Sequence, residues 1–224
     1  MGIIINQSAK NLFTTYLGFG IGAINTLFLY TNFLEPRYYG LVSFLLSAAN
    51  LIWPLMAFGV QNTLVKFFSS YDTKTERDKL LSMVLLLPLI VAIVLGSIGF
   101  LSYGWILDYF SDQNTLVRPY VWLIFVVAVA TAYFEVFFAW AKIHYRSVFG
   151  NFLKEVFHRV CIALLLLLVF AGFLSVSEFI YTLAGVYLLR AIIMAFYAFR
   201  LYIPEFLFSF PRNKWPVLKY SALI

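Results

Sequence analysis

The chain has 224 residues, 63% of them hydrophobic and 12% charged, with a net charge of +6; a typical soluble domain holds roughly 45–50% and about 25%. Sixteen basic and ten acidic side chains are too few to clothe a soluble fold of this length. Soluble, disordered and nucleic-acid-binding classes are excluded, no nucleic-acid partner is expected, and the basic excess takes its meaning from where it falls along apolar segments.

Six long apolar stretches follow one another: 11–34, 38–65, 80–107, 119–141, 160–177 and 179–199. About 20 apolar residues at 1.5 Å each cross a hydrocarbon core of about 30 Å, so each is long enough for one helix. The alternating segments of a membrane barrel are absent. The pattern predicts an all-α integral membrane protein, a six-transmembrane-helix bundle over 1–203.

The first stretch is too long for a signal-peptide core, contains Asn11 and Asn25, and offers no small-residue cleavage site. Asn11, Thr15, Gly18, Gly22 and Asn25 recur at steps of three or four, which places them on one helix face. Gly18 and Gly22 form a small-xxx-small pair that allows close helix approach. Asn25 suits either a polar cavity or an interhelical hydrogen bond.

The second stretch repeats the pattern with Ser43, Ser47, Asn50 and Pro54. Proline cannot donate to the carbonyl four residues earlier, here that of Asn50, so an open carbonyl and an amide side chain share one face. Pro54 therefore marks a hinge beside a cavity, or else a static kink. Beyond the plainly apolar third stretch, Asp108 and Asp112 are four apart in a connection and read as solvated loop residues.

The fourth stretch carries one charge, Glu135, on the face of Thr131 and Ala139; the fifth carries none; the sixth carries Arg190. Arg190 lies ten residues before Arg200, roughly 15 Å along a helix, too deep to snorkel easily. An arginine at helix centre costs about 2.5–3.5 kcal/mol on the insertion scale, which the surrounding Leu, Ile, Val and Phe offset. Such residues face a bundle interior and mark pathways. Arg190, Glu135, Asn25 and Asn50 are the candidate cavity residues; a buried Glu135–Arg190 pair is the structural alternative.

Residues 204–219, Pro-bounded, aromatic and basic, read as a cytoplasmic interfacial segment, and 220–224 as the start of a truncated seventh helix. Thirteen of the 16 basic residues fall on one set of connections, counting Lys142, Arg146, Lys154 and Arg159 as one loop, against Arg37 and Arg118 on the other. The basic side stays in the cytoplasm, giving an N-in/C-in topology. Trp105, Trp122, Trp140 and Trp215 fall near the stretch ends and suit interfacial anchoring. Two histidines, His144 and His158, and the lone Cys161 give no metal-ligand spacing, so no cofactor or metal is expected. Nucleophile–base sets and Gly-rich phosphate loops are equally missing, and the chain reads as no enzyme.

The opening Met1 to Lys10, then Tyr16-Leu17-Gly18, Ile21-Gly22 and Asn25-Thr26-Leu27, resembles bacterial polysaccharide biosynthesis membrane proteins. The likeness continues through Phe33-Leu34 and Tyr39-Gly40-Leu41 to Phe58-Gly59 and Lys66-Phe67-Phe68. It is closest over residues 1–70 and rests on cumulative similarity. These are oligosaccharide-lipid flippases of the multidrug/oligosaccharidyl-lipid/polysaccharide exporter superfamily. The resemblance implies two helical lobes around a cavity, alternating access, and a place in the bacterial cytoplasmic (inner) membrane. This chain would supply one MATE-like N-terminal lobe, its partners being membrane lipids, a lipid-linked oligosaccharide substrate, and a C-terminal half of the same transporter. A MATE-type multidrug exporter and a polytopic glycosyl or acyl transferase are the alternatives.

Overall fold

The computed structural model describes residues 2–111, 115–207 and 209–223. Helix accounts for 87% of the described residues, which contain no strand, so the all-α expectation holds.

Helix α1 spans residues 2–33, as Gly2–Ile24, a π segment Asn25–Leu29 and a last turn Tyr30–Phe33. It stops where Leu34 turns extended, and Pro36 opens α2 (Pro36–Ala57), where a fixed φ and a missing N–H cost nothing. Pro54 stands in the last turn of α2, and the chain turns at Phe58 and Gly59, both left-handed. The continuous span expected over 38–65 is thus broken, and a short helix α3 (Val60–Phe67) follows. Gly59 is required twice over, by its φ of +64° and by the Ser221 carbonyl oxygen that stands where a Cβ would go.

Helix α4 (Lys74–Leu101) starts at Thr73, whose hydroxyl accepts from the Glu76 amide. Helix α5 (Tyr103–Ser111) continues it after a break at Ser102. A 3₁₀ turn, Thr115–Tyr120, leads into α6 (Val121–Ile143). Helix α7 spans residues 147–170, again with a π segment, Leu153–Phe157, inside it. Helix α8 (Val176–Leu201) opens with a reciprocal Ser175–Glu178 capping box. Helix α9 (Lys214–Leu223) closes the described chain.

Among the described residues, five helical stretches are long and apolar enough to cross a membrane: Ile5–Phe33, Pro36–Ala57, Lys74–Leu101, Thr115–Ile143 and Val176–Leu201. Helix α7 has the length, about 36 Å, but carries Lys154, Glu155 and Arg159 in and around its middle turns. The stretch expected over 160–177 is displaced accordingly. The helix begins at Ser147 and ends at Phe170, and a turn with Gly172 at φ +77° occupies part of the expected span. A charge count divides the chain at Arg159, whereas the backbone does not.

Helix α6 is the centre of the bundle, with α2, α3, α4 and α8 packed around it; α7 packs on α8, and α1 on α7. Trp140, expected at an interface, is fully buried against Phe137 and Phe199, so it belongs to the core; Trp105, Trp122 and Trp215 are exposed. Outward faces are apolar, as Leu12, Phe13 and Phe19 on α1 and Ile90 and Ile93 on α4 illustrate. In a membrane those faces meet acyl chains.

The segment after α8 is fastened to the first turns of α4. Tyr202 Oη donates to Asp78 Oδ1 at 2.5 Å, the Leu207 amide to Ser82 Oγ at 3.0 Å, and the Arg212 amide to Glu76 Oε2 at 2.7 Å. Burial and the Asp78 carboxylate push the Tyr202 hydroxyl up to about 12, which keeps it a donor. Helix α9 starts at Lys214, earlier than the expected 220, and docks on α3 as Ser221 Oγ donates to the Phe58 carbonyl and Thr63 Oγ1 to Ser221.

Candidate functional site, an ionic belt inside the bundle

Glu135, on α6, is 8% exposed and lies eight residues before Ile143. Its Oε1 meets Lys154 Nζ of α7 at 2.6 Å, with the Lys154 side chain reaching it from a partly open position. One turn along α7, Arg159 pairs with Glu155 at 2.8 Å and also donates to the Glu155 backbone carbonyl. Both carboxylates of the belt are therefore held by cations other than Arg190.

Arg190, on α8, is 5% exposed. Its guanidinium lies 4.3 Å from the Phe134 ring centroid and 4.8 Å from that of Tyr187. Cation–π contact of this kind is worth about 2 kcal/mol or more when desolvated. The Nε–H is buried without a hydrogen-bond partner, and no carboxylate pairs with Arg190 among the described residues. In place of the alternative Glu135–Arg190 pair there are two other pairs, Glu135–Lys154 and Glu155–Arg159, with Arg190 left over. His158 of α7 brings its ring within 5.9 Å of Tyr187, beside the same cation.

Asn25 belongs to a different constellation. Its Nδ2 donates to the Arg159 carbonyl at 2.8 Å, from a side chain 4% exposed. It is one rung of a seam along α1 and α7: Asn11 Nδ2 to Ser147 Oγ at 3.0 Å, and Asn151 Nδ2 to the Asn11 carbonyl at 3.1 Å and to Thr15 Oγ1 at 3.3 Å. The sequence offset between partners stays between 134 and 140, so the two helices run parallel. Their π segments both fall in the seam. A π turn shifts the backbone hydrogen bonds by one residue and re-aims side chains, a feature common at functional sites. Gly18 lets the α7 backbone approach: a Cβ there would lie 2.3 Å from the Glu155 carbonyl oxygen.

Asn50 and Pro54 are exposed, as are Ser43 and Ser47, so the polar stripe of α2 faces outward and touches none of the belt. Asp108 is exposed and Asp112 lies outside the described residues. Of the four candidates, the structure brings Arg190 and Glu135 into one belt, ties Asn25 to it through Arg159, and separates Asn50. Lys154, Glu155, His158 and Arg159 are hidden from a reading in which charge marks a loop. A signal existed in Lys154/His158 and Glu155/Arg159 at i,i+4, with Phe149, Leu153, Val156 and Val160 on a helical repeat through the charges.

Successive long apolar helices around a partly buried ionic belt define a multi-pass helical membrane protein. The chain belongs to the polysaccharide biosynthesis protein family, whose model matches residues 8–222. This is the family that residues 1–70 resemble, and the match extends over almost the whole chain. No curated protein and no solved structure is similar enough to match it.

Proposed function

We propose that the chain is a non-enzymatic transporter lobe that moves a lipid-diphosphate-linked oligosaccharide across the bacterial cytoplasmic membrane by alternating access. Membership of a polysaccharide biosynthesis family supports the cargo class. The observation that carries the reading is the third cation of the belt. Glu135 and Glu155 are held by Lys154 and Arg159, which leaves Arg190 as a desolvated guanidinium with no direct ion pair among the described residues. A cation kept so deep without a fixed partner is poised for an anion that arrives, and a diphosphate or sugar acid fits its bidentate fork. In the conformation described, Phe134 and Tyr187 cover Arg190, so α6 and α8 must part for cargo to reach it.

The six-crossing, N-in/C-in topology belongs to this reading. Support comes from α1 and α7 running parallel, as they do when α2, α4 and α6 cross between them. Lys154 and Arg159 lie within the body of α7 rather than in a connection, yet the rest of the thirteen still favour one side. A second lobe would cover the outward Ser43–Asn50 stripe, and alternating access would use the Pro54 end of α2 as its hinge.

The test is glycan export in cells by Arg190→Ala in the complete transporter. The variant inserts normally, because it loses the costliest residue of α8, but export falls by an order of magnitude or more; Arg190→Lys retains part of it. The double variant Arg190→Ala with Glu135→Gln stays inactive, since Lys154 already neutralises Glu135. Wild-type export by Arg190→Ala at normal protein levels overturns the reading.

A further inference from the structure

A second polar feature lies away from the belt, at the ends of α1 and α7. A cavity of about 580 Å³ opens there, lined among others by Gln7 and Lys10 of α1, Arg146 of the α6–α7 turn, Phe149 and Phe152 of α7, and Tyr197 of α8. Two cations and no carboxylate line it, and neither Lys10 nor Arg146 has an ion-pair partner among the described residues. Its rim is built rather than loose. Gln7 Nε2 donates to the Tyr145 carbonyl at 2.6 Å, Tyr145 holds a left-handed φ of 56°, and Thr14 Oγ1 donates to the Lys10 carbonyl at 2.7 Å.

The lining changes character with depth. Lys10 is the last charge before a run of 24 uncharged residues, 11–34, and Arg146 immediately precedes α7. Phe149 and Phe152 lie one to two turns further along α7, with Phe149 packed on Tyr197 at 4.6 Å and Phe152 41% exposed. A fixed anion at the cations and an apolar chain along the exposed Phe152 would satisfy both halves at once. A soluble anion would leave the aromatic half bare, and an acidic peptide would bring polar backbone against it.

We propose that this cavity is a binding site for an anionic phospholipid, its phosphate between Lys10 and Arg146 and an acyl chain along Phe149 and Phe152. The site fastens the α1–α7 seam to the lipid at the membrane boundary and stands independently of the transport reading.

The experiment is native mass spectrometry of the purified chain released from nanodiscs holding equal amounts of phosphatidylglycerol and phosphatidylcholine. One phosphatidylglycerol is retained, preferred over phosphatidylcholine by roughly tenfold or more, as two interfacial cations provide. Lys10→Gln with Arg146→Gln abolishes the preference, Lys10→Arg with Arg146→Lys keeps it, and Lys219→Gln, an exposed cation elsewhere, leaves it unchanged. Equal retention of both lipids by the wild-type chain overturns the proposal whether or not any variant folds. So does a preference that survives the double glutamine change. Displacement of the phosphatidylglycerol by an equimolar polyprenyl diphosphate overturns the phospholipid assignment in favour of a cargo-lipid phosphate. None of these readings depends on export, so failure here and failure of the transport reading are told apart.

Discussion

The polar stripes of α1 and α2 read alike in the sequence and meet opposite fates in the fold. Each places small and amide residues at steps of three or four near the middle of an apolar helix. On α1 the stripe meets α7 and is covered at its deeper end: Asn25 is 4% exposed, and Asn11, Asn25 and the still-exposed Thr15 each find a hydrogen-bond partner on the neighbour. On α2 the stripe faces out, with Ser43, Ser47, Asn50 and Pro54 exposed beside Leu51 and Leu55. Periodicity establishes that a helix has a polar face. It says nothing of what covers that face, because the covering residues come from elsewhere in the chain or from another surface.

The largest effect should come from forcing the covered stripe apart. Gly18→Leu drives a side chain into the α7 backbone, where the Glu155 carbonyl oxygen stands 2.3 Å from the position of a Cβ. Overpacking a tight contact typically costs about 1–3 kcal/mol and occasionally more, and a main-chain atom cannot step aside. The variant should lose most of its folded protein, read as the monodisperse fraction and the thermal midpoint in detergent. Gly20→Leu, two residues away on the open face where a Cβ meets nothing within 4 Å, should behave as wild type. Equal behaviour of the two variants would mean that α1 does not sit on α7 as described.

A middle-sized effect separates the two asparagines. Asn25→Leu removes the bond to the Arg159 carbonyl, and interhelical hydrogen bonds in membranes average about 0.6 kcal/mol with a maximum near 1.7. Asn50→Leu removes no side-chain hydrogen bond among the described residues and trades a polar outward group for an apolar one, so the isolated chain should be as stable or more so. In the complete transporter the order reverses if the α2 stripe meets the second lobe: Asn50→Leu then lowers export without lowering stability. Detergent stability and export, measured on the same pair, break the comparison if Asn50→Leu proves the less stable of the two.

What the sequence disclosed follows the same division. Apolar length marked the helices containing Asn25, Asn50, Glu135 and Arg190, since a 30 Å hydrocarbon core sets a length that composition reveals directly. The place of Arg190 and Glu135 inside long apolar helices was legible for the same reason. Their partners were not. Lys154 and Arg159 look like loop residues to any count that treats charge as a boundary, and only their helical spacing with Leu153 and Val156 shows that α7 runs through them. Trp140 likewise sits at the right distance along α6 for an interface, yet packing against Phe199 of α8 buries it. The break at Phe58–Gly59 follows from a left-handed pair that no apolar tally detects.

The smallest expected effect is also the sharpest, because the sequence treats Gly18 and Gly22 as one pair. A small-xxx-small motif implies that both let a neighbour's backbone approach. In the structure they face different atoms of the same helix. A Cβ on Gly18 meets the Glu155 main chain, whereas one on Gly22 lies 3.0 Å from Arg159 Nε and 3.1 Å from its Cδ, a side chain that can shift by a few tenths of an ångström. Alanine in a helix gains about 0.8–1.0 kcal/mol over glycine, which should roughly balance the displacement of Arg159. Gly22→Ala is therefore expected to change the thermal midpoint very little, and Gly18→Ala to lower it clearly. Arg159 is anchored to Glu155, so its adjustment should register in that ion pair: adding Glu155→Gln to Gly22→Ala frees the guanidinium to move and should make the alanine slightly stabilising. If Gly18→Ala and Gly22→Ala prove equally damaging, both glycines face main chain, and the register of α1 on α7 is off by a turn.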